Sequence, residues 1–405
     1  MNSLSTSTAL ALFGGEPVRT TLLPYGHQSL TEDDLQAVLD VLRSDWITTG
    51  PKIDEFEEAF ASDVGAKHAV SFSSGTAALH GAVVAAGVDR GHEVITTPLT
   101  FCATANVVLH QQATPRFADV TRDTLTLDPS EVERHLSSET KAILPVDYAG
   151  HPADLDELLS LSERHGLVVI EDAAHALGAR YRGQSVGSVS HMTVFSFHPV
   201  KHLTTGEGGM VTTDSDAYAQ QLRSLRNHGI DLDARARQTT GQWYYEMTEL
   251  GYNYRLTDMA CALGLSQLPR LKRNVQRRRD IAQHYTDKLG AMDGVSLPSV
   301  RSDSESSWHL YPVRIDQGHT NSKRGEIFQA LRAEGIGVNV HYIPVYLHPY
   351  YRNRFGDRTG LCPVAEKAYS ELISLPMFHG MMDSDVDDVV EAVDKVLSYF
   401  STGIR

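Results

Sequence analysis

The chain has 405 residues, 41% of them hydrophobic and 21% charged, enough for one large globular domain with a smaller one. Its formal net charge of −15 excludes a general nucleic-acid binder, which needs a basic face, and leaves any anionic ligand dependent on a local cationic pocket. Cys102, Cys261 and Cys362 form no CxxC pair and no stretch approaches the length of a membrane span, so the chain reads as reduced and cytoplasmic, with neither a zinc ribbon nor a membrane partner.

The N-terminal "MNSLSTSTALALFGG" has no basic residue before its short apolar run, and residues 1–28 read as a loose lead-in rather than a signal peptide. "SLTEDDLQAVLDVLRSD" predicts a capped amphipathic helix with Leu35, Val38, Leu39 and Leu42 at helical spacing, and "KIDEFEEAFASDVG" predicts a second. Seven short apolar runs follow: "HAVSFS", "EVITTP", "TPRFADV", "AILPVDY", "LVVIED", "MTVFSF" and "GMVTTD". Apolar on both faces and interleaved with helical segments, they predict a mainly parallel sheet covered on both sides, an α/β fold, over residues 29–270. The arginine-rich segment Leu265–Lys288 reads as a solvated bridging helix. A smaller α+β domain is expected over 271–405, with strands at "SSWHLYPVRI" and "IGVNVHYIP", a helix at "RGEIFQALRAEG" and a closing helix at "DSDVDDVVEAVDKVLSYF".

Ligands of open α/β sheets bind beyond the carboxyl ends of the strands. Asp172 ends "LVVIED" there, with His175 three residues on; alone, each also fits a structural role. After the first run, Ser73-Ser74-Gly75-Thr76 opens a helix whose unpaired N–H groups and dipole suit a phosphate, although Ser and Thr caps are common. It is neither a Walker loop nor a G-x-G-x-x-G turn. Phe101 follows another strand, as a core residue or a platform for a flat ring. In "SFHPVKHLTTGEGG", Lys201 is open to three readings: a surface charge, a phosphate ligand or a nucleophile. All these residues lie near strand ends and can face one crevice.

The motifs "SSGTAAL", "TPLTFCATANVV", "IEDAAHALGA", "FSFHPVKHLTTGEGGMV" and "GYNYRLTDMACALGLSQL" together resemble the DegT/DnrJ/EryC1/StrS sugar aminotransferases. That resemblance spans nearly the whole chain. It implies the type I pyridoxal phosphate (PLP) transferase fold with a seven-stranded central sheet. It makes Lys201 the lysine that bonds the cofactor's aldehyde, Asp172 the partner of the pyridine nitrogen and Phe101 the stacking ring. It makes Ser74, Gly75, Thr76 and Ser196 phosphate ligands and places His175 beside the cofactor. Asn253 would reach the cofactor phosphate of a neighbouring subunit, implying a homodimer with sites at the interface.

Within the family, "LPYGHQSLTEDD", "FSFHPVK" and "VNVHYIPVYLHPYY" resemble transaminases of pseudaminic acid biosynthesis, which aminate C4 of a UDP-linked 4-keto-6-deoxy sugar. By the same resemblance Tyr25 lies near the acceptor; His341 and Tyr342 lie near it or pack between the domains, and Arg226 (equally a surface helix residue), His228 and Arg255 are candidates for its diphosphate, which needs local cations. Glutamate or glutamine is the implied donor, with pyridoxamine phosphate (PMP) as the other cofactor form. His27 and His202 depart from the pattern, where Arg and Pro are expected, and "LALFGGEPV" resembles the inosose and aminocyclitol branch. An aminotransferase for another keto sugar is the alternative; a PLP-binding regulator is the non-enzyme alternative, against which stand Lys201 and Asp172.

Overall fold

The computed structural model describes residues 9–231 and 243–401, with Arg237, Thr239 and Gly241 between. All seven apolar runs form strands: β1 (His68–Phe72), β2 (Glu93–Thr96), β3 (Thr114–Phe117), β4 (Thr140–Leu144), β5 (Val168–Asp172) and, after the two-residue strands β6 (Arg180–Tyr181) and β7 (Gln184–Ser185), β8 (Met192–Ser196) and β9 (Gly209–Thr213). They form one sheet in the order β1-β9-β8-β5-β4-β2-β3. Only β9 runs against its neighbours, pairing antiparallel with both β1 and β8. A parallel return needs a crossover, usually a helix, whereas residues 197–208 between β8 and β9 hold no helix and double back. Phe197 N–H donates to the Gly208 carbonyl at 2.9 Å, closing that loop's neck. Gly206, at φ +80°, turns it.

Both faces of the sheet are covered. On one, α3 (Gly75–Ala85) and α4 (Ala103–His110) pack on Val70, Val94, Ile170 and Val194. On the other, Phe56 and Phe60 of α2 (Pro51–Val64) meet Phe195 and Phe197 in edge-on and tilted ring contacts. The smaller unit has its own core, built on the helix Leu271–Leu289, the antiparallel strands β10 (Val295–Ser296), β12 (Tyr311–Ile315) and β13 (Leu372–Leu375), and the closing helix Asp383–Phe400. The short strand β11 (Ser304–Glu305) pairs instead with β6, tying this part of the chain back to the large domain.

Four expectations change. The lead-in is not loose from Ala9 onward: Leu10 is fully buried in the small unit's core, and the Glu334 carboxylate accepts from the amides of Ala11 and Val18 at 2.8 and 3.0 Å. "IGVNVHYIP" forms no strand, because it pairs first with Leu23 and then with Ser374 through single bridges before leaving for the interior. The strand expected over "SSWHLYPVRI" starts only at Tyr311, since Trp308 sits at φ +52°, which breaks extended backbone. The arginine-rich helix is not simply solvated: Arg278 is fully buried.

Helix α1 (Glu32–Leu42) forms where expected but turns an unexpected side inward. Its buried residues are Asp34 and Val41, while Leu35, Leu39 and Leu42 are exposed. Asp34 accepts from Thr31 N–H at 2.8 Å, Ser266 Oγ at 2.7 Å and Arg270 Nη2 at 2.6 Å. Burial pushes this carboxyl up, and the bonds from Ser266, Thr31 and Arg270 outweigh it and hold it below its ordinary value. Asp34→Ala strips Arg270 of its partner and is expected to cost about 2 kcal/mol, a partly exposed guanidinium tempering the penalty of a broken buried pair. Urea denaturation should show the difference in full at neutral pH, shrinking as pH falls through about 4 and below, where the wild-type carboxylate is protonated.

Candidate active site

A cavity of about 670 Å³ opens at the carboxyl ends of the strands, where the small unit faces the sheet. Its wall includes Ser74, Gly75, Thr76, Phe101, Asp172, His175, Ser196 and Lys201 from the large domain, Tyr25 from the N-terminal segment, and His341 and Tyr342 from the small unit. Separate sequence signals over more than two hundred residues therefore meet at one place.

Asp172 ends β5 and is buried. Its carboxylate accepts from Thr104 Oγ1 at 2.8 Å and from Ala174 N–H at 3.2 Å, which fixes its plane. Burial raises its proton affinity, while Thr104, the Ala174 amide and the Lys201 charge oppose the rise. Behind it, Glu171 and Asp147 are fully buried. Burial raises both carboxyls, and the Glu171 charge adds to the rise at Asp147.

Lys201 hangs from the β8–β9 loop. Burial brings its amine down to about 8; Asp172 opposes that shift and the Arg278 charge adds to it. A lysine tuned this way is an amine nucleophile and base near neutral pH. Nζ lies 3.3 Å from Nε2 of His309, a residue that sequence reasoning passed over.

Ser74 caps α3, its Oγ accepting from Ala77 N–H at 3.1 Å. Gly75 follows with no side chain because none fits: a Cβ there would lie 2.9 Å from Ser196 Cβ. The helix start and the end of β8 therefore form a cradle of small residues and backbone N–H groups, suited to a phosphate. Phe101 leaves 58% of its surface exposed on the cavity wall, which suits a flat ring. A cradle, an exposed aromatic face, a fixed carboxylate and a low-pKa lysine match the phosphate, ring, pyridine nitrogen and aldehyde of PLP, so the residues present fit that group.

On the small-unit side, Tyr342 Oη and His175 Nε2 are 3.0 Å apart and their rings stack at 5.9 Å. The His341 imidazole, hydrogen-bonded to Ser374 Oγ at 2.8 Å, is brought down to about 4 by burial and the Lys201 charge. His202 is explained by its place: buried beside the lysine, its Nε2–H donates to the Ser307 carbonyl at 2.9 Å. It pins the lysine loop to the small unit.

Four candidates stand outside this cavity. Arg226 is occupied: its guanidinium pairs with Glu57 and donates to the Ser71 carbonyl at 2.8 Å and Ser71 Oγ at 3.0 Å. Arg255 donates to Asn227 Oδ1 at 2.9 Å. His228 and Asn253 are exposed on the paired segments 227–230 and 247–254. Of the missed residues, Thr104 and Arg278 carried weak signals and His309 none. Thr104 lies inside a quoted motif, and Arg278 sits on the buried stripe of its helix with Val275, Ile281 and Tyr285. Among the described residues no cluster has the makings of a metal site, and no helix is long and apolar enough to cross a membrane.

Comparison with known proteins agrees with this geometry. The model of the DegT/DnrJ/EryC1/StrS aminotransferase family matches residues 28–394. The spore coat polysaccharide biosynthesis protein SpsC of Bacillus subtilis is 43% identical over 381 residues, 94% of this chain and 98% of SpsC. Helicobacter pylori PseC, an aminotransferase involved in pseudoaminic acid biosynthesis, superposes with a TM-score of 0.87 at 32% identity, over 94% of this chain and 100% of PseC. Spr1654 of Streptococcus pneumoniae in its PMP form gives 0.88 at 34% identity, over 93% of this chain and 99% of that one, and has also been solved in a PLP form.

Gly75→Ala should weaken PLP binding about tenfold, since overpacking costs of about 1–3 kcal/mol fall on the cradle. Spectrophotometric titration checks this, and an unchanged Kd would remove the cradle from phosphate binding.

Proposed function

The chain belongs to the DegT/DnrJ/EryC1/StrS aminotransferase family and is a PLP-dependent enzyme, and from that premise we propose that it moves an amino group from glutamate or glutamine to the keto carbon, C4, of a nucleotide-linked 4-keto-6-deoxy sugar. The observation that carries the reading is Lys201, an amine brought down to about 8, in one cavity with the buried carboxylate of Asp172. The likeness to PseC and SpsC supports a sugar acceptor destined for a glycan.

PLP, when bound, supplies an aldehyde to capture the amine and a ring to accept electrons from the adjoining carbon. Lys201 would be the residue to hold that aldehyde, and its amine, brought down to about 8, is suited to take and return a proton in the cavity. Asp172 would pair with the ring nitrogen, its carboxylate favouring the protonated form by charge. Ser74, Gly75, Thr76 and Ser196 would hold the phosphate, and Phe101 and His175 would flank the ring. Tyr25, His341 and Tyr342 shape the acceptor's end of the cavity. The first half-reaction releases the keto acid; the second returns the nitrogen to the keto sugar.

The homodimer belongs to the same proposal. The leucines of α1 and Trp243, Tyr244, Met247 and Leu250 are exposed among the described residues, and Asn253 and His228 lie on the paired segments 227–230 and 247–254 that also carry Met247 and Leu250. In the proposed dimer Asn253 reaches the partner's cofactor phosphate, and His228 and Arg255 meet its acceptor diphosphate.

Lys201→Ala is expected to abolish turnover and the visible absorbance of the lysine-bound cofactor; wild-type rates would sink the assignment. Asp172→Asn should lose several orders of magnitude in rate while still binding PLP. Tyr342→Ala should raise the acceptor KM with PLP retained, an unchanged KM removing Tyr342 from the acceptor site. A panel of UDP-, dTDP- and GDP-linked keto sugars with scyllo-inosose tests the substrate, and preferential turnover of the inosose would favour the cyclitol branch.

A further inference from the structure

His309 has no part in the chemistry above, yet much of the small unit's contact with the large domain converges on it. It lies on the cavity wall between β11 and β12, its ring buried, with Nε2 3.3 Å from Lys201 Nζ. The rings of His175 and His202 flank it at centroid distances of 4.4 and 5.7 Å.

The segment that carries it is fixed from several sides. Ser307 N–H donates to the Gly150 carbonyl at 3.0 Å, and Ser307 Oγ donates to the His175 carbonyl at 3.0 Å. The Ser307 carbonyl accepts from His202 at 2.9 Å. Arg278 donates to the carbonyls of Trp308 at 3.2 Å and His309 at 3.4 Å. Gly150 is small because a Cβ there would come within 2.9 Å of the His309 amide. Trp308 holds a left-handed backbone, at φ +52°, that a bulky residue adopts only when its surroundings enforce it. Filling space does not call for an imidazole at the end of this device. A leucine or phenylalanine would also avoid the orphaned ring nitrogen: His309 Nδ1 is buried without a partner.

We propose that His309 is a positioning residue for Lys201: its neutral imidazole accepts a hydrogen bond from Nζ through Nε2 and so aims the amine's remaining valence at the reacting carbons. When the substrate C–H bond breaks, its electron pair stays on the organic framework and the proton forms a third N–H bond on Lys201, while His309 goes on accepting from another. The proton then passes to the neighbouring carbon and Lys201 is neutral again. An imidazolium could not serve, since it has no lone pair to accept with. Burial first, then Lys201, His175, His202 and Arg278, keep His309 well below its ordinary pKa. Asp172 and Arg278 bear on the amine with opposite sign. His175, His202 and His341, which face the same charge, are likewise held neutral, and Tyr342 and Glu207 complete the polar wall.

The proposal rests on Lys201 as the acting lysine, and the test separates the two. The full-length chain, freed of cofactor, is labelled with an amine-reactive reagent across pH, and the modified peptide is identified. Lys201 should label with a midpoint near 8. An accepting imidazole favours the ammonium, so His309→Phe should lower that midpoint by at least about half a unit, and His309→Gln, which keeps an acceptor, should restore part of the difference. In the PLP-loaded enzyme, His309→Phe should lower kcat about 10- to 100-fold with KM unchanged and enlarge the isotope effect of α-deuterated glutamate. Label on another lysine would overturn the assignment of Lys201. A His309→Phe profile superimposed on wild type, in protein that still binds PLP, would overturn the role of His309. If His309→Phe does not fold, His309→Leu takes its place: a Lys201 midpoint lower in His309→Leu than in His309→Gln supports the proposal, and superimposed profiles of the two variants and wild type overturn it.

Discussion

Arg278 is the charge on which the site depends. It is fully buried and meets no carboxylate among the described residues. Its guanidinium is solvated by backbone carbonyls: Trp308 and His309 on one segment, Met377 at 3.0 Å on another, and Val200 at 3.5 Å in the lysine loop. Burial lowers its pKa to about 10, which leaves it cationic at neutral pH. A planar fork with five donors can join three chain segments where a lysine could not. The same cation depresses the amine one residue beyond Val200. Architecture and reactivity therefore share one interaction: the group that locks the lysine loop to the small unit also tunes the lysine.

That coupling explains which parts of the molecule were legible in the sequence. The seven strands were, because runs apolar on both faces admit few other structures. The lysine loop was, because tight turns, glycines and a strand-end hydroxyl leave local marks. The orientation of α1 was not. Its leucine spacing defines a stripe but not what covers it, and the residue that turns the helix, Asp34, is held by Arg270, 236 positions away. Arg278 was hidden among neighbouring arginines, although its spacing from Val275 and Tyr285 places it on the buried stripe. His309 left no local mark at all: its orientation depends on the backbone at Trp308, on Gly150 and on His202, none adjacent to it in sequence except Trp308.

The histidines around Lys201 share a physical state. His175, His202, His309 and His341 are buried, and in each case burial is the largest influence lowering the pKa. A wall of neutral imidazoles gives the amine polar neighbours without placing further positive charge on it. Replacing them by carboxylates would hold Lys201 as an ammonium, and replacing them by apolar groups would leave its N–H bonds unmet. His202, a departure from the family pattern, fits this logic because it supplies both a neutral neighbour for the lysine and the hydrogen bond that anchors Ser307.

The charge distribution also bears on the acceptor. Among the described residues no arginine lines the cavity, and the proposal assigns its lysine to the cofactor. The net charge of −15 offers no long-range attraction to an anionic sugar nucleotide. Arg226, the most deeply placed of the arginine candidates, is neutralised by Glu57. A diphosphate entering this cavity would thus find its cations at the rim or on a second chain. His228 lies on the paired segments that also carry Asn253, and Arg255 follows directly after them, hydrogen-bonded to Asn227. The proposed dimer brings that edge to the partner's site, which connects three otherwise separate features: an arginine away from its own cavity, apolar side chains exposed among the described residues, and a cavity lined by no arginine among them.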